Sequence, residues 1–140
     1  MIQLRLSWWR DRLAEPATAW PKGEPVLARL RSWAGETQAL IGLVDGWEAR
    51  IVGEDGGAEL ARAEIAAYVA LGRLVGERDL ASVTSVASSF GDPSASMPRL
   101  SKAMRPLSIL HAIAAREARG GDRAPLADFL TIVRIGLLGR

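Results

Sequence analysis

The sequence predicts an all-α fold, a single-domain multi-helix bundle of about six helices over residues 1–140. Three observations carry this reading. Apolar residues recur at helical spacing through most of the chain. Pro- and Gly-bearing stretches punctuate that pattern at 16–25, 53–57, 91–98 and 120–125. No pair of alternating strands joined by a hairpin turn is present, nor any repeat or low-complexity tract.

The elements follow in order. Ile2, Leu6, Trp9 and Leu13 place one apolar stripe on a helix over 2–15, although Ile2-Leu4-Leu6 alone also fits a short strand. Pro16 stops it. Pro25 suits the first turn of the next helix, where its missing N–H costs nothing, with Val26, Leu30 and Trp33 as the stripe. Gly35 is placed as a C-terminal cap, and Thr37 as the cap of a third helix with Leu40, Val44, Trp47 and Ile51 on one face. A single bent helix across Gly35 remains the alternative.

GEDGG at 53–57 is a turn. The helix over 58–76 turns Leu60, Ile65, Val69, Gly72 and Val75 or Gly76 inward. Its many Ala and Gly residues favour close helix–helix approach. Asp79 caps a Ser/Thr-rich helix with Leu80, Val83, Val86 or Ala87, and Phe90 inside. After the loop at 91–98, Leu100, Met104, Leu107, Leu110 or His111, and Ala114 mark a helix in which Pro106 is a kink or a fresh start. Gly120-Gly121 ends it. Asp122 and Pro125 open the last helix, with Leu126, Phe129 or Leu130, Val133 and Leu137 inside.

Composition excludes several classes. Hydrophobic residues make up 49% of the chain and charged residues 24%, which is neither disordered nor membrane-spanning. No apolar run reaches the roughly 18 residues of a membrane span, and charges at Arg5, Arg10, Asp11 and Arg12 exclude a signal peptide. The net charge of +2, with no Lys/Arg block, argues against nucleic acid as a partner. The absence of Cys excludes a disulfide scaffold and fits a reducing, cytoplasmic setting.

The stretch LRLSWWRDRL at 4–13 resembles the signature helix of the squalene/phytoene synthase family, which carries Arg-Leu-x-Trp-Trp-Arg, here Arg5, Leu6, Trp8, Trp9 and Arg10. EPVLARL at 24–30, ALIGLVDGWEARI at 39–51, AELARAEIAAYVALGRLVG at 58–76, AMRPLSIL and IVRIGLLGR are similar to later family segments in the same order. The resemblance implies part of the isoprenoid synthase fold. It also implies two aspartate-rich clusters that hold an allylic diphosphate through Mg²⁺. The chain departs from the family there. The first cluster belongs before the Trp-Trp-Arg helix, ahead of residue 1. The region of the second offers Asp79 and Asp92, too far apart to share a metal on one turn. Arg50 stands where the family often has Asp. The expectation is a truncated, non-catalytic member with an interaction or assembly role and no cofactor. The alternative is a divergent prenyl-diphosphate transferase or isoprenoid-binding protein, which would need Mg²⁺.

Other chemistry-bearing residues are sparse. Asp45 and Glu48 share one helical face three residues apart and are the candidate cation-binding pair; the plainer reading is a solvated face paired with Arg50. His111, the one histidine, lacks a recognisable Ser, Cys or acid partner and reads as a packed or capping residue. The hydroxyls at 82–89 lack a nucleophile elbow and read as solvent-facing or back-bonded. Trp20, Trp33 and Trp47 read as anchors between helices.

Adjacent helical residues point about 100° apart. Trp9 therefore belongs to the core stripe, whereas Leu4 and Trp8 form a second apolar edge. A full-length family member would cover that edge with an N-terminal helical layer. In this chain the expected cover is a second subunit or another chain, a homodimer or a helper protein, with Leu4 and Trp8 in the interface. An interfacial foot on a membrane surface is a further option for the same helix.

Overall fold

The computed structural model describes residues 2–53, 55–120 and 125–138, with side chains left undescribed at Ile2 and at 125–128. The described residues are all-helical, with no strand among them. They form α1 (Ile2–Ala14), α2 (Pro25–Leu30), a 3₁₀ turn (Arg31–Trp33), α3 (Thr37–Val52), α4 (Ala58–Leu74), α5 (Leu80–Ser88), α6 (Arg105–Ala118) and α7 (Pro125–Leu138). Among them, no helix is long and apolar enough to cross a membrane. The chain divides into two compact units, Met1–Ala70 and Leu71–Arg140.

In the first unit α1 packs on α3. Leu13, Trp20 and Leu27 are the buried centre, and Trp9, Leu30, Leu40, Ile41 and Val44 pack around them. Trp20 enters this core from the connector, because its indole N–H donates to the Glu15 carbonyl at 3.1 Å and so satisfies its one polar atom. The bent-helix alternative is excluded: α2 ends at Leu30, and Gly35 takes a left-handed φ of +94° before α3 starts. Thr37 is the first helical residue rather than the cap, which is Glu36 and makes no side-chain cap bond.

Two glycines on α3 face α4. A Cβ on Gly46 would lie 2.6 Å from the Leu60 Cα, whereas one on Gly42 would meet the Ala63 Cβ at 3.9 Å. The α3–α4 contact is thus close enough at Gly46 that only glycine fits. Asp55 secures the turn before α4, accepting bonds from the backbone N–H groups of Gly57 at 2.9 Å and Glu59 at 2.5 Å. The Glu59 N–H, then that of Gly57, hold the Asp55 carboxyl below the usual carboxylate range.

In the second unit α6 packs against α5 and α7. Asp79 caps α5 as expected, accepting from the Ser82 N–H at 3.0 Å. Pro106 lies in the first turn of α6, so it is the fresh start and not a kink. Leu107, His111 and Ala115 are buried along one face of α6, continuing Leu100 and Met104. Arg105 at the start of α6 donates to the Gly136 carbonyl at 2.7 Å and the Leu137 carbonyl at 3.2 Å, capping the end of α7.

Several inward assignments are corrected. Val26 is exposed and Leu27 takes its place. Trp33 is half-buried, but Trp47 and Ile51 face outward because α3 turns Gly46 onto α4. Val75 and Phe90 are exposed, and of Leu110 or His111 it is His111 that is buried. On α7, Phe129, Leu130 and Leu137 are exposed and Ile135 is the buried residue. The apolar side chains of α7 surround the helix, so spacing alone selects no single face. The expected roles of Leu126, Gly121 and Asp122 lie outside the described side chains or residues.

Candidate functional site

The three residues of Trp8-Trp9-Arg10 point in three directions. Trp9 packs on the Leu13–Trp20–Leu27 core. Trp8 meets Trp9 edge-to-face, with ring centroids 5.0 Å apart and planes at 83°. Arg10 reaches across to α3. Its Nε donates to Asp45 Oδ1 at 2.6 Å and its Nη2 to Glu48 Oε2 at 2.5 Å. One guanidinium fork thus spans both carboxylates that the sequence set three residues apart. Glu48 first, then Asp45, hold the Arg10 guanidinium above its ordinary pKa.

The partner of the acidic pair is therefore Arg10 and not Arg50. The signal was available: Arg10 follows the core-facing Trp9, so it emerges beside whichever helix covers α1. Asp45 and Glu48 are each bonded to Arg10, so a cation held by this pair would have to displace the guanidinium. Among the described residues no group of three or more His, Cys, Asp or Glu side chains could hold a metal ion.

Leu4 and Trp8 form the exposed edge. Leu4 is 77% exposed and Trp8 38%. They line an open groove of about 490 Å³ together with Arg5, Trp9, Glu24 and Val26. Arg5, Glu24 and Val26 were not singled out from sequence as groove residues. Arg5 adjoins Leu4 in the chain, but Glu24 and Val26 arrive only through the fold of the connector and α2. The groove is apolar along Leu4, Trp8 and Val26 and carries one cation and one anion.

In the second unit His111 is buried, and its Nε2 lies 2.9 Å from the Ser89 carbonyl. A carbonyl can only accept, so Nε2 carries the proton and donates it. Ser89 is the C-cap of α5, so His111 both packs and caps. The Phe90 ring stands against it at 79°. The α5 hydroxyls are back-bonded: Thr84 donates to the Leu80 carbonyl at 2.9 Å and Ser89 to that of Ser85 at 2.8 Å. Comparison with known protein families, with characterised proteins and with solved structures gives no match.

Proposed function

We propose that this chain is a helical interaction protein related to the squalene/phytoene synthases, acting by binding rather than by prenyl transfer, and that its N-terminal face pairs with a second copy of itself. The reading places it in the cytoplasm, without a cofactor. The observation that carries it is the α1 groove. Leu4, Trp8 and Val26 leave an apolar strip open, with Arg5 and Glu24 beside it. A two-fold axis sets each patch against its own copy, so residue i meets j and j meets i. With one cation and one anion beside the strip, a two-fold pairing can set Arg5 of each copy against Glu24 of the other. The exposed part of Trp8, about 95 Å² on the scale of a whole tryptophan, contributes about 2 kcal/mol when buried. Arg10 supports the non-catalytic reading, because it neutralises the one acidic pair on the adjoining helix.

Sedimentation equilibrium tests the pairing. The wild type should associate at tens of micromolar, and Trp8→Ala should weaken association about tenfold or more. Arg5→Glu should weaken it too, and Arg5→Glu combined with Glu24→Arg should restore it. A monomeric wild type at that concentration overturns the pairing. Mg²⁺-dependent turnover of farnesyl or geranylgeranyl diphosphate overturns the non-catalytic reading, and flotation with anionic liposomes would move the same face to a membrane surface.

A further inference from the structure

The α7 helix is apolar on the face that packs inward and on the face that does not. Ile135 is buried, and α7 packs on α6. At 100° per residue, Val133 stands about 160° round from Ile135, and Phe129, Leu130, Gly136 and Leu137 lie within about 60° of Val133. Phe129 is 60% exposed, Leu130 58% and Leu137 72%, while Val133 between them is half-buried. A helix that is hydrophobic all round is normally covered on every side.

Two features prepare this face for a partner. Arg105 donates to the Gly136 carbonyl at 2.7 Å and the Leu137 carbonyl at 3.2 Å, which ties down the last turn of α7. Gly136 leaves a notch, because a Cβ there would meet nothing within 4 Å beyond its chain neighbours and the α7 backbone.

We propose that α7 pairs, antiparallel, with α7 of a second copy of this chain about a two-fold axis beside Val133. The face reads alike from both ends, which is what an isologous contact requires. Such an axis sets Val133 against its counterpart, Phe129 over the other copy's Gly136, and Leu130 against the other copy's Leu137. A ring over a glycine notch lets the helices approach closely. The area is sufficient for a weak dimer. At about 200 Å² for a whole aromatic side chain and about 150 Å² for an aliphatic one, Phe129, Leu130, Ile132 and Leu137 expose about 370 Å² per copy. Homodimer faces are about 65% apolar, so two copies imply about 1,100 Å² in total, just above the roughly 1,000 Å² that a specific interface needs. A lipid surface is the poorer fit. A helix lying on a membrane carries a polar face rich in Lys and Arg, whereas Arg134 is the single charged residue within 129–138.

This contact goes beyond the α1 pairing and uses a different helix, so it is read in a Trp8→Ala background. Sedimentation equilibrium of that full-length variant should show dimers at about 0.5 mM. Adding Phe129→Ala should weaken association about fivefold or more. Adding Gly136→Leu should weaken it at least as much without lowering the unfolding midpoint, because the side chain fills the notch and leucine is the better helix former. The chain has no cysteine. Val133→Cys therefore places one thiol per copy at the axis and should give a covalent dimer on mild oxidation, whereas Leu138→Cys, about 140° round the helix, should not. A Trp8→Ala protein that is monomeric at that concentration, or association unchanged by Phe129→Ala, overturns the α7 pairing and leaves the α1 pairing untouched. Wild type and Trp8→Ala associating equally, with both losing association in Phe129→Ala, would overturn the α1 pairing and keep this one. Equal cross-linking through Cys at 133 and 138 overturns the register, and liposome flotation lost in Phe129→Ala gives the face to lipid instead.

Discussion

Gly46→Ala puts the close approach of α3 to α4 under direct test. The new Cβ would lie 2.6 Å from the Leu60 Cα, 2.9 Å from its N and 3.2 Å from the Glu59 carbonyl carbon. Carbon atoms pack best at about 3.5–4.0 Å, so α3 and α4 must part by about 1 Å. Every obstructing atom is backbone, and no rotamer change relieves the clash. Overpacking of this kind costs about 1–3 kcal/mol, and the upper end applies here. Alanine recovers about 1 kcal/mol of helix propensity over glycine. The net loss should be about 2 kcal/mol. Gly42→Ala is the internal control, one turn away on the same helix. Its Cβ would meet Ala63 at an ordinary 3.9 Å, so propensity alone acts and the variant should gain about 0.5–1 kcal/mol. Urea unfolding followed by tryptophan fluorescence, at one protein concentration, should separate the two midpoints by about 1 M or more. A Gly46→Ala protein as stable as the wild type would refute the close α3–α4 approach. Equal losses in the two variants would show that glycine flexibility, not contact distance, is what the helix needs.

Arg10→Met should cost about 1 kcal/mol, because the bridge to Asp45 and Glu48 is partly exposed and screened; the loss should shrink in high salt, as chemical denaturation with added NaCl would show. Glu77 accepts from the Ser101 N–H at 2.9 Å, and its bonds to Ser101 hold its carboxyl below the usual range. A depressed folded pKa means that the stabilisation is complete above the unfolded value, about 4.3, and is lost as pH falls through the folded one. Glu77→Gln should therefore flatten the acid limb of a stability–pH curve, and an unchanged slope would count against the linkage. Trp9→Ala should lower the unfolding midpoint by the equivalent of about 3 kcal/mol, whereas Trp8→Ala should leave it nearly unchanged; equal losses would mean both indoles serve the core.

Helix existence was legible in the sequence because caps and breakers are local. Asp79 before α5, Pro25 at the start of α2 and the turn at Asp55–Gly57 each act within a few residues, and each stands where expected. Facing was less legible. On α3 the stripe through Leu40 and Val44 is buried in part, but its continuation to Trp47 and Ile51 is not. The neighbour contacted by the second half of α3 is α4, and it is reached through Gly46. A glycine carries no hydrophobic signal, so the pattern pointed to the nearest large residue instead. The same failure occurs on α2, where Val26 and Leu27 are adjacent and equally apolar, and only the third dimension chooses Leu27. Of the candidate sites, the Leu4–Trp8 edge was legible from helix geometry alone.

The exposure of Trp8 follows from its two neighbours. On a helix, turning one side chain inward turns the others with it. Trp9 is fixed by the core and Arg10 by two carboxylates on α3. Rotating α1 by the 100° that would bury Trp8 would withdraw Trp9 from Leu13, Trp20 and Leu27 and break both Arg10 bonds. Losing the Trp9 contacts alone costs more than burying the rest of Trp8 returns, since the first carries a cavity penalty and the second only transfer of residual area. The helix is therefore held in the register that presents Leu4 and Trp8 outward. Edge-to-face contact with Trp9 also limits the rotamers open to Trp8, which reduces the entropy lost when a partner closes over it. An aromatic side chain that is apolar, outward and already ordered has the properties of an interface anchor, and in Trp-Trp-Arg the second and third residues supply the ordering for the first.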